Sequence, residues 1–170
     1  MVHVVVTGGA GFIGARLARE LLAAGTLSVA GDEPRPLSRL TIIDRAPAPP
    51  DLAADGRVSS VTGDLTALLA ASAPGSGVLA GADVIFHLAA AVSAECEADF
   101  DLGMHANLAA TQALLAACRA LGTCPVVVYT SSLAVTGRSP VGRRRPRRLC
   151  QSRCGRSAAG RRAPSGCARR

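Results

Sequence analysis

The sequence predicts an α/β domain with a doubly wound parallel sheet, truncated after about strand five and followed by a disordered basic tail. Short β-branched runs alternate with stretches of helical periodicity, and a glycine-rich turn separates the first run from the first helix. Such alternation is typical of a parallel sheet with helices on both faces. Periodicity then ends after residue 137. We therefore expect an incomplete domain over residues 1–137 and a separate tail over residues 138–170.

The first half of the domain is predicted to contain two strands and one helix. Residues Val2–Thr7 are β-branched and bounded by glycine, as in a strand buried on both faces. Apolar residues then recur at helical spacing: Phe12, Ile13, Leu17 and Leu21. Gly25 suits the C-terminal cap of this helix. A loop over 26–39, containing glycine and proline, is expected before a second strand at 40–44.

The second half is predicted to add three strands and two helices. The strands are expected at 58–62, 83–88 and 125–130, and a weak helical stretch at 65–72. A long helix is expected from about 98 to 121. Its apolar face is predicted to comprise Phe100, Met104, Leu108, Leu115 and Cys118.

The turn at residues 7–14, Thr-Gly-Gly-Ala-Gly-Phe-Ile-Gly, carries the strongest functional signal. Gly8 permits a tight turn, Gly11 lets backbone amides approach a pyrophosphate, and Gly14 lets the helix pack closely. The amide groups and dipole at the helix N-terminus favour an anion. Between a strand and a helix, this pattern predicts a Rossmann-type dinucleotide site.

Asp44 ends the second predicted strand. A carboxylate there can accept hydrogen bonds from both hydroxyls of an adenine ribose and repels a 2′-phosphate, so we predict NAD rather than NADP as the cofactor. The neighbouring Arg45 could partly accommodate such a phosphate. A solvated acid at a strand end is the alternative interpretation.

Residues 1–137 resemble the extended short-chain dehydrogenases, also called NAD-dependent epimerase/dehydratases. The family fingerprint TGGAGFIG stands verbatim at 7–14. Within the family the sequence is most similar to the D-erythronate dehydrogenase branch, through residues 38–41, 100–104 and 130–135. The resemblance implies an oxidoreductase that acts on a sugar or sugar acid, and homodimers of full-length members. A fragment of a nucleotide-sugar epimerase or dehydratase is the alternative.

The resemblance also implies roles for individual residues. Asp64 and Leu65 match the pair that faces the adenine, and Leu88, Ala89 and Ala90, after His87, match the segment beside the nicotinamide ribose. Phe12, Ile13 and Thr130 are further expected cofactor-binding residues, and Asn107 is expected to hold the segment after strand four. Ser132 matches a serine that hydrogen-bonds the substrate, and is therefore the candidate catalytic residue.

The sequence departs from the family at the acid/base pair. Family members remove the substrate proton with a Tyr assisted by a Lys four residues later. This sequence contains no Lys, and its one Tyr, Tyr129, is followed at that spacing by Leu133. The family's substrate domain is not recognisable either. We therefore expect the chain to bind cofactor without turning over a substrate.

The tail differs from the domain in charge. Residues 1–137 hold all twelve acidic residues and seven Arg, whereas residues 138–170 hold twelve Arg and no acid. A nucleic-acid-binding arm fused to a Rossmann module is one alternative, because basic arms bind phosphates nonspecifically. No aromatic residue follows Tyr129 to stack bases. We predict no specific nucleic-acid partner.

The abrupt change of composition instead predicts a frameshifted translation of a GC-rich gene from about residue 138 onward. Arginine codons of the CGN type, read one base later, encode Val, Ala, Asp, Glu or Gly. An Arg-rich run is therefore what an acidic and apolar frame yields when shifted. Reading the other two frames for a Tyr-x-x-x-Lys helix tests this prediction.

No further site or membrane segment is predicted. Cys150, Cys154 and Cys167 lack a fourth metal ligand at suitable spacing, so no metal site is expected. His87 is interpreted as a satisfied core histidine rather than a proton carrier. The absence of a long apolar run or signal peptide favours a cytoplasmic protein without a membrane partner.

Overall fold

The predicted doubly wound parallel sheet is confirmed in a computed structural model that describes residues 1–71 and 77–132. The strands of this part of the chain are β1 Val2–Thr7, β2 Thr26–Leu27, β3 Arg35–Asp44, β4 Val58–Thr62, β5 Val84–His87 and β6 Val126–Tyr129. Five of them are parallel, in the spatial order β4-β3-β1-β5-β6. The chain builds outward from β1 through β3 to β4 and then returns to the other side of β1. This reversal places a topological switch point between β1 and β5, where clefts form in such sheets.

Helices connect the parallel strands. In chain order they are α1 Phe12–Ala24, α2 Pro50–Ala53, α3 Leu65–Ala70, α4 Ser93–Ala98, α5 Phe100–Met104 and α6 Ala110–Ala120, with a π-helical segment, His105–Ala109, between the last two. Across residues 1–71 and 77–132, none of these helices combines the length and hydropathy needed to span a bilayer.

Alternate side chains of the strands form two cores, one on each face of the sheet. On one face Val4 and Val6 of β1 pack with Ala18 and Leu21 of α1. On the other face Val5 packs with Ile85 of β5, Leu114 of α6 and Leu79. Because β1 is buried on both faces, the carboxyl end of this strand is fixed from both sides.

The predicted loop over 26–39 is wrong in part, because both of its ends are strands. Thr26 and Leu27 pair antiparallel with Pro36 and Arg35, and β3 therefore begins at Arg35 rather than at residue 40. Pro36 lies in this two-residue ribbon at the start of β3, away from the parallel ladder with β4. Proline is tolerated at such a strand end, although it usually indicates a loop.

The first helix lies where the sequence predicts it, but with a different buried face. It ends at Gly25, which adopts a left-handed conformation with φ of 66°. The residues it buries are small ones and one leucine: Gly14, Ala15, Ala18 and Leu21. Phe12 and Ile13 are 89% and 61% exposed, so they are not part of the core. Because the helix lies close to the sheet, only small residues fit between them at the first turn of α1.

The predicted long helix is also corrected. Asp99 separates α4 from α5, and the π-helical segment shifts the helical phase before α6. The buried residues are consequently Gly103, Ala110 and Leu114. The predicted apolar face is largely exposed: Phe100 at 72%, Met104 at 43%, Leu108 at 45% and Leu115 at 48%. Cys118 alone of that set packs partly against the core.

The predictions for residues 138–170, both disorder and frameshift, fall outside the described residues, as does the expectation that Cys150, Cys154 and Cys167 form no metal site.

Candidate functional site

A cleft of about 300 Å³ lies at the carboxyl ends of the parallel strands. The glycine turn (residues 7–14) follows β1 and forms its floor. Gly8 has φ of +70°, and its amide donates to the Ile43 carbonyl at 2.8 Å. A Cβ at Gly8 would lie 2.7 Å from the amide nitrogen of Ala89. The turn is packed between β3 and the segment after β5, and only glycine fits at position 8.

Gly14 fixes how α1 joins the glycine turn. A Cβ at this position would overlap the Gly8 carbonyl oxygen and lie 2.6 Å from the Gly9 Cα. Gly11, the residue before α1, provides no capping side chain, and the first turn of α1 contains no acid. The first amide groups of this helix are thus left for an anionic ligand, which the positive end of the helix dipole also favours.

Asp44 ends β3 beside the glycine turn. Its Oδ2 accepts from the Ala10 amide at 3.0 Å, and its Oδ1 accepts from the Ala46 amide at 3.2 Å. Two backbone contacts fix the carboxylate, and each oxygen keeps a lone pair for a further donor. Arg45 also lines the cleft. The site therefore presents an oriented carboxylate next to a helix N-terminus.

Asp64 lies beyond β4 in a compact polar cluster. Its carboxylate caps α3 by accepting from the Ala67 amide at 3.1 Å, and it also accepts from the Thr66 hydroxyl. The Nε2 atom of His105 lies 3.2 Å from Asp64 Oδ2. The Thr66 hydrogen bond, the Ala67 amide and His105 together lower the pKa of Asp64 to about 2. Asp64 is therefore a fixed anion at this end of the cleft.

The segment after β5 forms the opposite wall of the cleft. Leu88, Ala89 and Ala90 line it, and Asn107 holds the next residue, Ala91. Asn107 Oδ1 accepts from the Ala91 amide at 2.8 Å, while Nδ2 donates to the Ala91 carbonyl at 3.1 Å. Both backbone groups of one residue are thereby fixed by one side chain.

His87 is a core residue, as predicted. It is 2% exposed, and both ring nitrogens have partners: Nδ1 with Thr7 Oγ1 at 2.7 Å and Nε2 with Thr111 Oγ1 at 3.0 Å. Burial lowers its pKa, which favours the neutral imidazole.

The structure brings most of the predicted site residues together. Those that line the cleft are Gly8, Gly11, Asp44, Asp64, Leu65, Leu88, Ala89 and Ala90. Gly14 is buried beneath the glycine turn, whereas Phe12 and Ile13 lie exposed at the start of α1. Thr130 and Ser132 are exposed beyond β6 and are not among the residues that line this cleft.

Sequence reasoning missed several lining residues: Thr7, Ile43, Gly63, Glu95, Leu102, His105, Ala106 and Ala110. The first three adjoin predicted site residues and could have been found from that. Glu95 and His105 come from the helical region between β5 and β6, where no local motif indicates a site. Only the rule that crossover helices begin above the carboxyl edge of the sheet could have found them.

Comparison with known proteins identifies a family to which the chain is similar. A model described as the 3-beta hydroxysteroid dehydrogenase/isomerase family matches residues 5–144. A D-erythronate dehydrogenase of Cupriavidus necator is 50% identical over 137 residues, which are 79% of this chain. The chain spans about 40% of the length of that relative.

Solved structures show the same architecture. A nucleoside-diphosphate-sugar epimerase of Agrobacterium tumefaciens superposes with a TM-score of 0.63 at 39% identity, covering 79% of this chain and 38% of that one. A double mutant of DesIV, a dTDP-glucose 4,6-dehydratase of Streptomyces venezuelae, was solved with NAD and DAU bound. It superposes with a TM-score of 0.65 at 30% identity, covering 83% of this chain and 42% of that one.

Proposed function

The chain belongs to the 3-beta hydroxysteroid dehydrogenase/isomerase family, and on that premise we propose that it is the NAD-binding part of an oxidoreductase that acts on a sugar acid. One observation carries the proposal. The glycine turn, the uncapped N-terminus of α1 and the Asp44 carboxylate meet at one cleft beside the switch point of the sheet.

The geometry of the cleft fits a dinucleotide. Because Gly8 and Gly14 carry no Cβ, the backbone of the turn packs closely against its neighbours. A pyrophosphate can therefore approach the amides of α1. The strand order then puts Asp44 and Asp64 on the β3 and β4 side of β1, for the adenosine half. Ala89 and Ala90 lie on the β5 side, for the nicotinamide half.

Asp44 supports NAD over NADP. Its two oxygens are oriented by Ala10 and Ala46 and can accept from two ribose hydroxyls, whereas a 2′-phosphate would be placed against a carboxylate. Arg45 lines the same cleft and limits this discrimination, because a guanidinium can pair with a phosphate.

NAD, when bound, supplies the hydride acceptor of the reaction. The residues of this chain hold the cofactor and fix the wall next to its reactive end. From its match to the family's substrate-binding serine, we propose that Ser132, which lies exposed beyond β6, donates a hydrogen bond to the substrate oxygen. No proton acceptor is assigned, because Tyr129 lacks the lysine that would complete the family pair.

The substrate class is proposed from the Cupriavidus necator relative, which is a D-erythronate dehydrogenase. A nucleotide-sugar substrate is the second candidate, favoured by the epimerase and dehydratase structures that share the fold. Calorimetric titration of the NAD-loaded chain with D-erythronate and with a UDP-sugar separates the two. Preferential binding of the UDP-sugar would support the second candidate.

Isothermal titration of the full chain with NAD, NADP and ADP tests the cofactor. We expect NAD to bind about tenfold or more tightly than NADP, corresponding to about 1.4 kcal/mol. ADP should bind as well, because it occupies the adenosine and pyrophosphate positions. A chain that binds none of the three would contradict the proposed function.

A further inference from the structure

A continuous chain of hydrogen bonds connects the cleft wall to the helix behind it. The Ala89 amide donates to Thr7 Oγ1 at 3.3 Å, and Thr7 Oγ1 lies 2.7 Å from His87 Nδ1. His87 Nε2 in turn lies 3.0 Å from Thr111 Oγ1, which donates to the Asn107 carbonyl at 2.9 Å. The chain therefore runs from β1 through β5 to α6.

One set of bond directions pairs every donor and acceptor in this chain. A threonine hydroxyl has one proton, and when Thr111 gives that proton to the Asn107 carbonyl it accepts from His87 Nε2–H. A neutral His87 protonated at Nε2 has an unprotonated Nδ1, which accepts from the Thr7 hydroxyl. The Thr7 oxygen then accepts from Ala89.

The burial of Thr7 and His87 makes the hydrogen bond between them hard to replace. Thr7 is 0% exposed and His87 is 2% exposed, so bulk water does not reach the bond between them, whereas Thr111 is half-buried. Leaving a buried donor or acceptor unpaired destabilises the folded state. The hydroxyl of Thr111 thus constrains the His87 ring, and the ring constrains the Thr7 hydroxyl that holds Ala89.

We propose that His87 and Thr111 are positioning residues for the nicotinamide half of the cofactor, acting through Thr7 on the Ala89 amide. This inference rests on the proposed function. In this role the two residues fix the position of the segment after β5 in the wall of the cleft. Asn107 fixes Ala91, two residues further along, from the same helical region. Two attachments, at Ala89 and at Ala91, then hold one wall.

The division of the cleft provides a specific test. The adenosine half of the site is built from the glycine turn, Asp44 and Asp64, whereas Thr111 reaches only the wall on the β5 side. Changes at Thr111 should therefore affect NAD and leave ADP alone. A loss of general stability would weaken both ligands.

The experiment compares Thr111→Val with Thr111→Ser in the full chain. Valine keeps the shape of threonine and removes the hydroxyl, while serine keeps the hydroxyl. By titration calorimetry we expect Thr111→Val to weaken NAD about fivefold, as loss of a single hydrogen bond does, with ADP affinity unchanged. Thr111→Ser should restore the affinity for NAD. Equal weakening of NAD and ADP by Thr111→Val would overturn the inference and leave the cofactor assignment intact, whereas a wild-type chain that binds neither ligand would overturn both.

A second measurement needs no folded variant at position 111. The ¹⁵N chemical shifts of the His87 ring in the wild-type chain report its tautomer, with His3→Gln and His105→Gln variants for assignment. We expect the neutral form protonated at Nε2. A ring protonated at Nδ1 would contradict the direction of the chain and with it the positioning role.

Discussion

The Asp44 carboxylate accepts a hydrogen bond from the Ala10 amide at 3.0 Å, so the residue that ends β3 also anchors the glycine turn after β1. The two residues are far apart in sequence and close in space, because β1, which the turn follows, and β3 are parallel neighbours. Recognition of a ribose and the conformation of the turn therefore depend on the same side chain.

Substitution of Asp44 should separate these two roles. In Asp44→Asn the amide oxygen can still accept from Ala10, but the negative charge opposite a 2′-phosphate is gone. We expect the preference for NAD over NADP to shrink about tenfold in titration calorimetry. Asp44→Ala also removes the anchor of the turn and should weaken both cofactors. An unchanged preference in Asp44→Asn would contradict the assignment of Asp44.

Gly14→Ala should disrupt the joint between α1 and the glycine turn. The new methyl group would overlap the Gly8 carbonyl, and overpacking of this kind costs about 1–3 kcal/mol. Urea denaturation measures the loss in the free energy of unfolding. Gly56→Ala is the matched control, since its Cβ would meet nothing within 4 Å. Equal stability of the two variants would show that the close contact is relieved without cost.

Leu114 and Leu115 are adjacent in α6 and should respond differently to truncation. Leu114 is 0% exposed, whereas Leu115 is 48% exposed. We expect Leu114→Ala to lower the free energy of unfolding by about 2–5 kcal/mol and Leu115→Ala to change it by about 0.5 kcal/mol or less. The reverse ranking would restore the helix face that the sequence predicts.

Stability should fall under mildly acidic conditions because of two buried histidines. Burial lowers the pKa of His87, and burial together with the positive charge of Arg39 lowers the pKa of His3. Both rings take up protons more readily after unfolding. Their contribution to stability is therefore complete above the ordinary histidine value of about 6.5 and is lost as the pH falls below it.

Urea denaturation at about pH 7.5 and about pH 5.5 measures this dependence above the range in which carboxylates titrate. We expect a lower free energy of unfolding at the acidic pH, and a smaller difference between the two pH values in His87→Gln. A free energy that stays level or increases on acidification would contradict the buried, neutral state of these rings.

The sequence alone was sufficient to predict the glycine turn, the doubly wound parallel sheet and the site residues that adjoin strand ends. These features follow from local rules: the glycine spacing of residues 7–14, the β-branched runs and the carboxylate Asp44 at the end of a strand. All of them depend on a few neighbouring residues, so they can be read without knowing what packs where. The left-handed Gly25 at the end of α1 is a further example.

Only the tertiary structure decided which faces are buried and which distant groups meet. The π-helical segment His105–Ala109 changes the phase of a continuous helical pattern, so Leu114 rather than Leu115 enters the core. The contact of His105 with Asp64 and the chain from Ala89 to Thr111 join residues on different elements. Periodicity reports that a helix has an apolar side. Which side is buried depends on packing against the sheet, and the direction of a buried hydrogen bond depends on partners that only the fold brings together.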